Sequence, residues 1–405
     1  MTTILPDAPW QHRQGLAELM SALGAAEGAV RFVGGAVRDT LLGLPVSDID
    51  CATVLQPDEV VKRIRAAGFK AVPTGMAHGT VTAVLPDATV EVTTLRRDVS
   101  TDGRRATVAF TDDWREDAAR RDFTINALSA SPTDRTVMDY FGGIDDLAGG
   151  RIRFIGDPLT RIAEDHLRIL RFFRFHARFG KGDPDAAGLD ACAARANDLM
   201  ALSRERIADE LLKLLALPDP APTVALMHDR GIFLPVLPEI AAAGVSRLAR
   251  LIGRERIADM GPDSARRLAA LLPRDAAIAF QVASRLRLSN AIRTRLELLA
   301  APPEPGTAPI PLAYRHPGAA VDLFLLSDAD EVELRAVVAT LAGWQRPRFP
   351  LKGGHLVELG LRPGPQVAGA LQAIEREWLS AGFPDDDWVE RAAKAAVDQA
   401  LRERQ

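Results

Sequence analysis

Apolar positions in residues 1–155 fall into short β-rich runs, AVRFVG, SDIDCATV, GTVTAVL, TVEVTTL and TVMDYF, separated by stretches with helical spacing. Side chains on a strand alternate faces at every residue, whereas a helix brings one face back about every 3.6 residues. The first third of the chain is therefore expected to carry the sheet. From Thr160 onward the apolar residues recur at helical spacing, as in the runs near 203–216, 221–231, 264–285 and 289–300, interrupted by proline and glycine. The fold class that follows is α+β, with a mixed sheet at the start and helices after it. APPEPGTAPIP at 301–311 and RPRFPLKGG at 346–354 read as loops between helical units. No repeat of roughly 20–50 residues marks a solenoid.

A chain of 405 residues exceeds what one hydrophobic core organises, so two or three structural units are expected. The opening MTTILPDAPWQHRQ lacks a basic start followed by an apolar run, and no uncharged apolar stretch reaches the roughly 18 residues of a membrane span. A cytoplasmic protein with no membrane partner is the expectation. Cys51 and Cys192, the two cysteines, are too few for a disulfide framework or a zinc site and read as buried thiols. The net charge of −4 excludes a protein that coats nucleic acid over its whole surface, but not one with a single basic groove. Residues 151–180 supply such a segment, with seven arginines against Asp157, Glu164 and Asp165.

The first constellation of candidate chemistry is VGGAVRDTLLGLPVSDID at 33–50. A strand enters Gly34 and Gly35, a helix follows, and a second strand brings Asp48 and Asp50. Paired glycines let the backbone approach a phosphate, the helix start offers free N–H groups to an anion, and Arg38 stands one turn in. Residues two apart on a strand share a face, so Asp48 and Asp50 project together while Ile49 and Cys51 face the core. Two carboxylates beside a phosphate cradle suit Mg²⁺, which favours carboxylates plus substrate oxygens. Glu91, on the polar face of TVEVTTL, is the candidate third carboxylate. Alone, a Gly-Gly is a turn and an Asp-x-Asp a solvated strand end; the ordered combination is far more specific.

In RRDFTINALS at 120–129, Arg120, Arg121 and Asp122 precede an apolar helical run containing Asn126. The arginines either hold a triphosphate or pair with Glu116 and Asp117 upstream. In EDHLRILRFFRF at 164–175, Asp165, Arg168, Arg171 and Arg174 follow one another at spacings of three, a slowly turning stripe along one helix, with Ile169, Phe172 and Phe173 turned to the core.

The glycine turn with its two carboxylates resembles the nucleotidyltransferase motif of the DNA polymerase β superfamily, and GGAVRDTLLGLPVSDID is similar to its form in class II CCA-adding enzymes and bacterial poly(A) polymerases. RRDFTINAL resembles the second motif of that family and EDxxRxxRxxRF its nucleotide-selecting motif. PTGMAHGTVTAV at 73–84, the loop Leu95 to Ala119 with Asp98, Arg104 and Arg105, SRERIADELLKLL at 203–215 and LGLRPGPQVAGAL at 359–371 resemble further family segments, whereas 235–345 resembles little and GGHL at 353–356 departs from an acidic version. The resemblance implies a polymerase-β-like head over 1–155, a helical neck over 156–220 carrying the selecting helix, and a helical body and tail over 221–405 that bind tRNA. It also implies template-independent addition of CCA to the 3′ end of tRNA from CTP and ATP, with two Mg²⁺ on Asp48 and Asp50 and with Glu91 beside them. Gly34, Gly35, Arg38, Arg121, Asp122, Asn126, Arg171 and Arg174 are then expected to hold the nucleotide, while Asp165 and Arg168 select the base. Cytosine and adenine each present an exocyclic amine beside a bare ring nitrogen, so a carboxylate that accepts and a guanidinium that donates admit both and reject uracil and guanine.

The rival within the family is a poly(A) polymerase, disfavoured by the negative net charge and by the lack of a strongly basic C-terminal stretch; enzymes adding only CC or only A are variants of the main reading. A non-catalytic RNA-binding protein is the rival of another class, opposed by the intact carboxylates. His228-Asp229 is an isolated HD pair without the further ligands a metal site requires.

Overall fold

The computed structural model describes residues 2–101 and 106–402, which form two compact units. One contains residues 1–249, 262–273 and 277–296, the other 250–261, 274–276 and 297–405. Arg104 and Arg105 lie outside the described residues.

The first unit carries the sheet. Strands β1 (Val30–Val33), β2 (Ile49–Thr53), β3 (Lys70–Gly75), β4 (Thr80–Val84), β5 (Thr89–Thr94), β8 (Ser129–Ala130) and β9 (Val137–Met138) join in the order β3-β4-β5-β2-β1-β8-β9, while β6 (Arg96–Thr101) and β7 (Ala106–Phe110) pair separately. The β2/β5 pair is parallel and every other pair antiparallel, so the sheet is mixed as the sequence pattern predicts. Helices α1 (Leu16–Ala22), α2 (Gly35–Leu41), α3 (Pro57–Ala66), α4 (Trp114–Ala119) and α5 (Gly143–Gly149) belong to this sheet-bearing part. Period-2 alternation is legible in β4 and β5: Val81, Ala83, Val90 and Val92 are buried, while the residues between them reach solvent.

After the sheet come α6 (Pro158–Glu164), α7 (Arg168–Phe179), α8 (Ala186–Ala194) and α9 (Arg204–Leu215), followed by further helices. Phe172 and Phe173 of α7 are wholly buried. Phe154 stacks on Phe172 with centroids 5.6 Å apart, and Phe123 meets Phe154 at 5.0 Å and Phe175 at 5.3 Å. Aromatic pairs of this kind add about 1 kcal/mol each beyond area burial. This cluster seats the 120–126 segment against α7.

The second unit is all helical, and its core gathers Tyr314, Leu356, Ile374, Trp378, Val389 and Val397. Within it Arg250 and Arg274 both bind Asp328, at 2.9 and 2.5 Å. Among the described residues, no helix is long and apolar enough to cross a membrane. Cys51 and Cys192 are free and buried.

Several local expectations need correction. The run 164–175 is not one helix: α6 stops at Glu164, and Asp165 is extended (φ −151°, ψ 106°) before α7 starts at Arg168. The Asp165 carboxylate accepts from Leu167 N–H at 3.1 Å, a local bond that competes with helix continuation. The segment after Asp122 makes only a 3-10 turn, Thr124–Asn126, because Asp122 binds the Phe123 N–H and the Asn126 amide and because β8 begins three residues later. TVMDYF yields only two strand residues, and the Asp139 carboxylate takes the N–H groups of Phe141, Gly142, Gly143 and Ile144 instead. Strand β2 starts at Ile49, so Asp48 precedes it. The run-based reading lacks β3, β6, β7 and β8 altogether.

Candidate active site

Strand β1 delivers the chain to Gly34, whose φ of +64° and ψ of −123° suit glycine alone. A Cβ there would stand 3.1 Å from Nη1 of Arg121. Helix α2 then begins at Gly35 and carries Arg38, which is 6% exposed and donates to Asp39 at 2.7 Å and to the Asn126 side-chain oxygen at 2.5 Å. Burial lowers the affinity of Arg38 for its proton, with Asp39 opposing the shift. A second glycine is forced at 143, where a Cβ would lie 2.3 Å from the Thr124 carbonyl oxygen and push α5 off the segment bearing Asn126.

Asp50 on β2 is half-buried and lies in register with Glu91 on β5; Asp48 is exposed at the entry to β2, bonded to Ser47 at 2.8 Å. The Asp50 carboxyl is raised above its ordinary range by burial first, then by the charges of Glu91 and Asp48, with Arg121 pulling the other way. A cleft of about 340 Å³ opens beside Asp50 and is lined by Gly34, Gly35, Arg38, Arg120, Arg121, Asp122, Asn126, Asp165, Arg168, Arg171 and Phe175.

The cleft wall is a chain of paired charges. Arg120 and Arg121 both reach Asp117, at 2.8 and 3.4 Å, so the ion pair and the cleft-lining position hold at once. Burial drives the Arg120 guanidinium down to about 10. Asp122 accepts from Asn126 at 2.9 Å and from Arg171 at 2.6 and 2.7 Å. Burial would raise the Asp122 carboxyl, but Arg171 and these bonds outweigh it and hold the group below the usual range. Arg168 binds Glu164, the Arg161 carbonyl at 2.8 Å and the Arg120 carbonyl at 2.9 Å. Asp165 takes Arg206 of α9 at 2.8 Å.

Of the residues singled out in the sequence, Gly34, Gly35, Arg38, Asp50, Arg121, Asp122, Asn126, Asp165, Arg168 and Arg171 converge on this cleft, and Asp48 and Glu91 stand next to Asp50. Arg174 does not line it. Its guanidinium turns to Glu210 of α9 at 2.5 Å, and the arginine stripe as a whole is engaged with acids instead of being solvated. His228 and Asp229 bond to each other at 3.3 Å at a helix end.

Residues 30–153 match a family model described as "Poly A polymerase head domain", and residues 185–243 match one described as "Probable RNA and SrmB- binding site of polymerase A". The chain is 33% identical over 386 residues to the mitochondrial CCA tRNA nucleotidyltransferase 1 of Mus musculus, covering 91% of this chain and 87% of that enzyme. The chain belongs to the CCA-adding tRNA nucleotidyltransferase family. The CCA-adding enzyme of Lacticaseibacillus paracasei is 32% identical over 91% of this chain and 92% of its own length. The Bacillus stearothermophilus CCA-adding enzyme, solved in complex with CTP, superimposes with a TM-score of 0.75 at 26% identity over 98% of this chain and 99% of that one.

Nucleotidyltransferases of this family generally use a divalent metal. The donor set here fits one: Asp50 and Glu91 are in register on adjacent strands, and the Asp50 carboxyl is raised by burial and by the charges of Glu91 and Asp48, a cost that a divalent cation relieves. Among the described residues no three His, Cys, Asp or Glu side chains form a ready-made metal cage.

Sequence reasoning missed the supports. Glu164, Arg206 and Glu210 hold Arg168, Asp165 and Arg174, and Phe175 forms part of the cleft floor. Glu164 sat inside the quoted motif, and Arg206 and Glu210 sat in SRERIADELLKLL at a spacing of four, which puts them on one helix face.

Proposed function

We propose that the protein adds CCA to the 3′ end of tRNA from CTP and ATP without a nucleic-acid template, releasing pyrophosphate. The observation that carries this reading is the sharing of one cleft by a phosphate-binding glycine turn, Asp50 and the Asp165–Arg168 pair. The names of the relatives and the CTP complex of the Bacillus enzyme support it.

Gly34, Gly35, Arg38 and Arg121 take the triphosphate, and Arg171 holds Asp122, which accepts from the Asn126 amide that in turn accepts from Arg38, so that the arginines keep their places. Asp165 accepts from the exocyclic amine of cytosine or adenine, and Arg168 donates to the neighbouring ring nitrogen. Asp48 and Asp50, with Glu91 beside them, hold Mg²⁺. When bound, the metal supplies charge stabilisation on the transferring phosphoryl group and activates the attacking hydroxyl. The residues 1–155 act as the catalytic head, 156–220 as the neck, and 221–405 as the body and tail that grip the acceptor arm by shape and phosphate contacts.

The test is incorporation of labelled CTP and ATP, separately and together, into tRNA transcripts ending before CCA, after C and after CC, with Mg²⁺. Completion to CCA and no further is expected. The match of residues 30–153 to a poly(A) polymerase head favours one second reading, for which long A tails on any RNA would be the outcome.

A further inference from the structure

The sheet order places the two substrates of such a reaction on opposite sides of Asp50. Apart from Asp50 itself, the cleft-lining groups that the sheet and its connections supply come from the β1 side: Gly34 at the end of β1, Arg38 on α2, and Arg120 to Asn126 leading into β8, with Asp165 and α7 completing the wall and none of the lining drawn from β5, β4 or β3. On the other side of β2 lie β5, β4 and β3. In-line phosphoryl transfer sets the attacking and departing oxygens on opposite sides of the phosphorus. With the triphosphate on the β1 side, the attacking hydroxyl arrives over β5 and β4.

What waits there is a row of hydroxyls. Asp50 is in register with Glu91, Glu91 with Thr82, and paired residues share a sheet face, so all three point the same way. The Thr82 hydroxyl lies 3.0 Å from that of Thr74 on β3, and one row along Thr80 and Thr93 pair at 3.1 Å. Thr74 and Glu91 are exposed, Thr82 is half-buried, and helix α3 packs on the other face of these strands. Lys70, exposed on β3 and two residues before the Val72 that pairs with Thr82, adds a cation to the same face. Hydroxyls that both donate and accept, next to a cation and leading to the carboxylates, suit a ribose with its phosphodiester.

We propose that Thr82 and Thr74 form the subsite for the 3′-terminal ribose and adjoining phosphodiester of the RNA primer, with Thr82 contacting the 2′-hydroxyl. This rests on the transferase reading above. A cross-strand threonine pair also stabilises a sheet, but valine keeps the strand preference and removes only the hydroxyl, which separates the two roles.

The experiment measures steady-state kinetics of the full chain with CTP and a tRNA transcript lacking CCA, for the wild type, Thr82→Val, Thr74→Val and Thr82→Ser. A parallel primer ends in a 2′-deoxynucleotide. Thr82→Val is expected to raise the KM for RNA about fivefold, the worth of one hydrogen bond. Its kcat and its KM for CTP stay put, and its preference for the ribose-ended primer over the deoxy one shrinks. Thr74→Val shows a smaller rise, and Thr82→Ser restores the wild-type values. An unchanged KM for RNA with intact ribose preference, or a KM for CTP that rises in step, overturns the subsite while leaving the transferase reading standing. A wild type that transfers no nucleotide to any RNA overturns that reading and the subsite with it.

Discussion

Arg171 of α7 grips the Asp122 carboxylate through Nε at 2.7 Å and Nη2 at 2.6 Å, joining α7 to the segment that carries Arg121 and Asn126. Asp122 is 7% exposed, so its charge has little water to fall back on. Removing one partner of such a pair costs about 3–5 kcal/mol because the other is left charged and buried. Arg171→Ala is expected to lower unfolding stability by about 3 kcal/mol in a urea titration at neutral pH. Adding Asp122→Asn recovers part of that loss, so the two changes are not additive. A cost of under about 0.5 kcal/mol, the range of an ordinary surface change, would show that the bridge does not hold the wall together.

The same pair sets a pH dependence. Asp122 has its folded carboxyl held below the ordinary value of 3.8, so its contribution to stability is complete above the unfolded pKa and is lost as pH falls through the lowered folded one. Against the effect of burial, Arg171 is raised above its ordinary range by Asp122, so its share is present throughout the acid and neutral range and lost only in strong alkali. Acid unfolding of the wild type followed by circular dichroism should therefore be steeper below about pH 4 than that of Asp122→Asn.

Asp50 runs the other way. Its folded carboxyl is raised, so the metal-free protein binds a proton there more tightly than the unfolded chain does, and stability falls as pH rises through the window between the two values. At neutral pH the ionised Asp50, beside Glu91 and Asp48, is a strain on the fold. Asp50→Asn is expected to melt higher than the wild type in the presence of a chelator, to show no nucleotide transfer, and to gain no stability from Mg²⁺. The wild type gains stability from Mg²⁺, and gains less as pH drops because the proton competes for Asp50. Equal Mg²⁺-induced shifts in the two proteins would remove Asp50 from the metal site.

Much of this site was legible in the sequence because its strongest signals are local. The Gly34-Gly35 turn and the Ile49-Asp50-Cys51 alternation of β2 each specify their geometry within a few residues, and the sheet register then brings Glu91 to Asp50, whereas Asp48 stands before the strand. The Asp165 break was not legible, since EDHLRILRFFRF has unbroken helical spacing and the interruption is fixed by an aspartate that bonds Leu167 N–H and Arg206. Arg174 was misdirected for a related reason. Spacing puts it on the stripe with Arg171, but the acid that claims it, Glu210, lies 36 residues away on α9. Short strands such as Ser129–Ala130 carry no periodicity of their own and exist only because β1 and β9 pair with them.

Gly34→Ala probes the turn. Its φ of +64° and ψ of −123° cost a non-glycine residue about 1–3 kcal/mol, and the new methyl would meet the Arg121 guanidinium 3.1 Å away. Relief moves either the backbone or Arg121, and both line the cleft proposed to take the triphosphate. The KM for CTP and that for ATP are expected to rise together by about tenfold, while the KM for RNA holds. Nucleotide constants that do not move would mean that the turn shapes the fold without touching the triphosphate.

The carboxylate proposed to read the base is itself held. Asp165 sits outside both helices, and Arg206 on α9 fixes one of its oxygens at 2.8 Å while Leu167 N–H fixes the other at 3.1 Å. An ionised carboxylate only accepts hydrogen bonds, which suits the amine of cytosine or adenine and repels the carbonyl of uracil. Asp165→Asn supplies an amide that can turn a donor toward that carbonyl, so UTP incorporation should rise as CTP incorporation falls, changing their ratio by roughly 10- to 100-fold. Arg206→Ala leaves the acceptor in place but frees its orientation. Efficiency with CTP and ATP should then drop by about tenfold with only a modest gain for UTP. Single-nucleotide addition assays on a transcript lacking CCA measure both. A UTP-to-CTP ratio unchanged in Asp165→Asn would take base selection away from Asp165, and a full switch to UTP in Arg206→Ala would give Arg206 a direct part in reading the base.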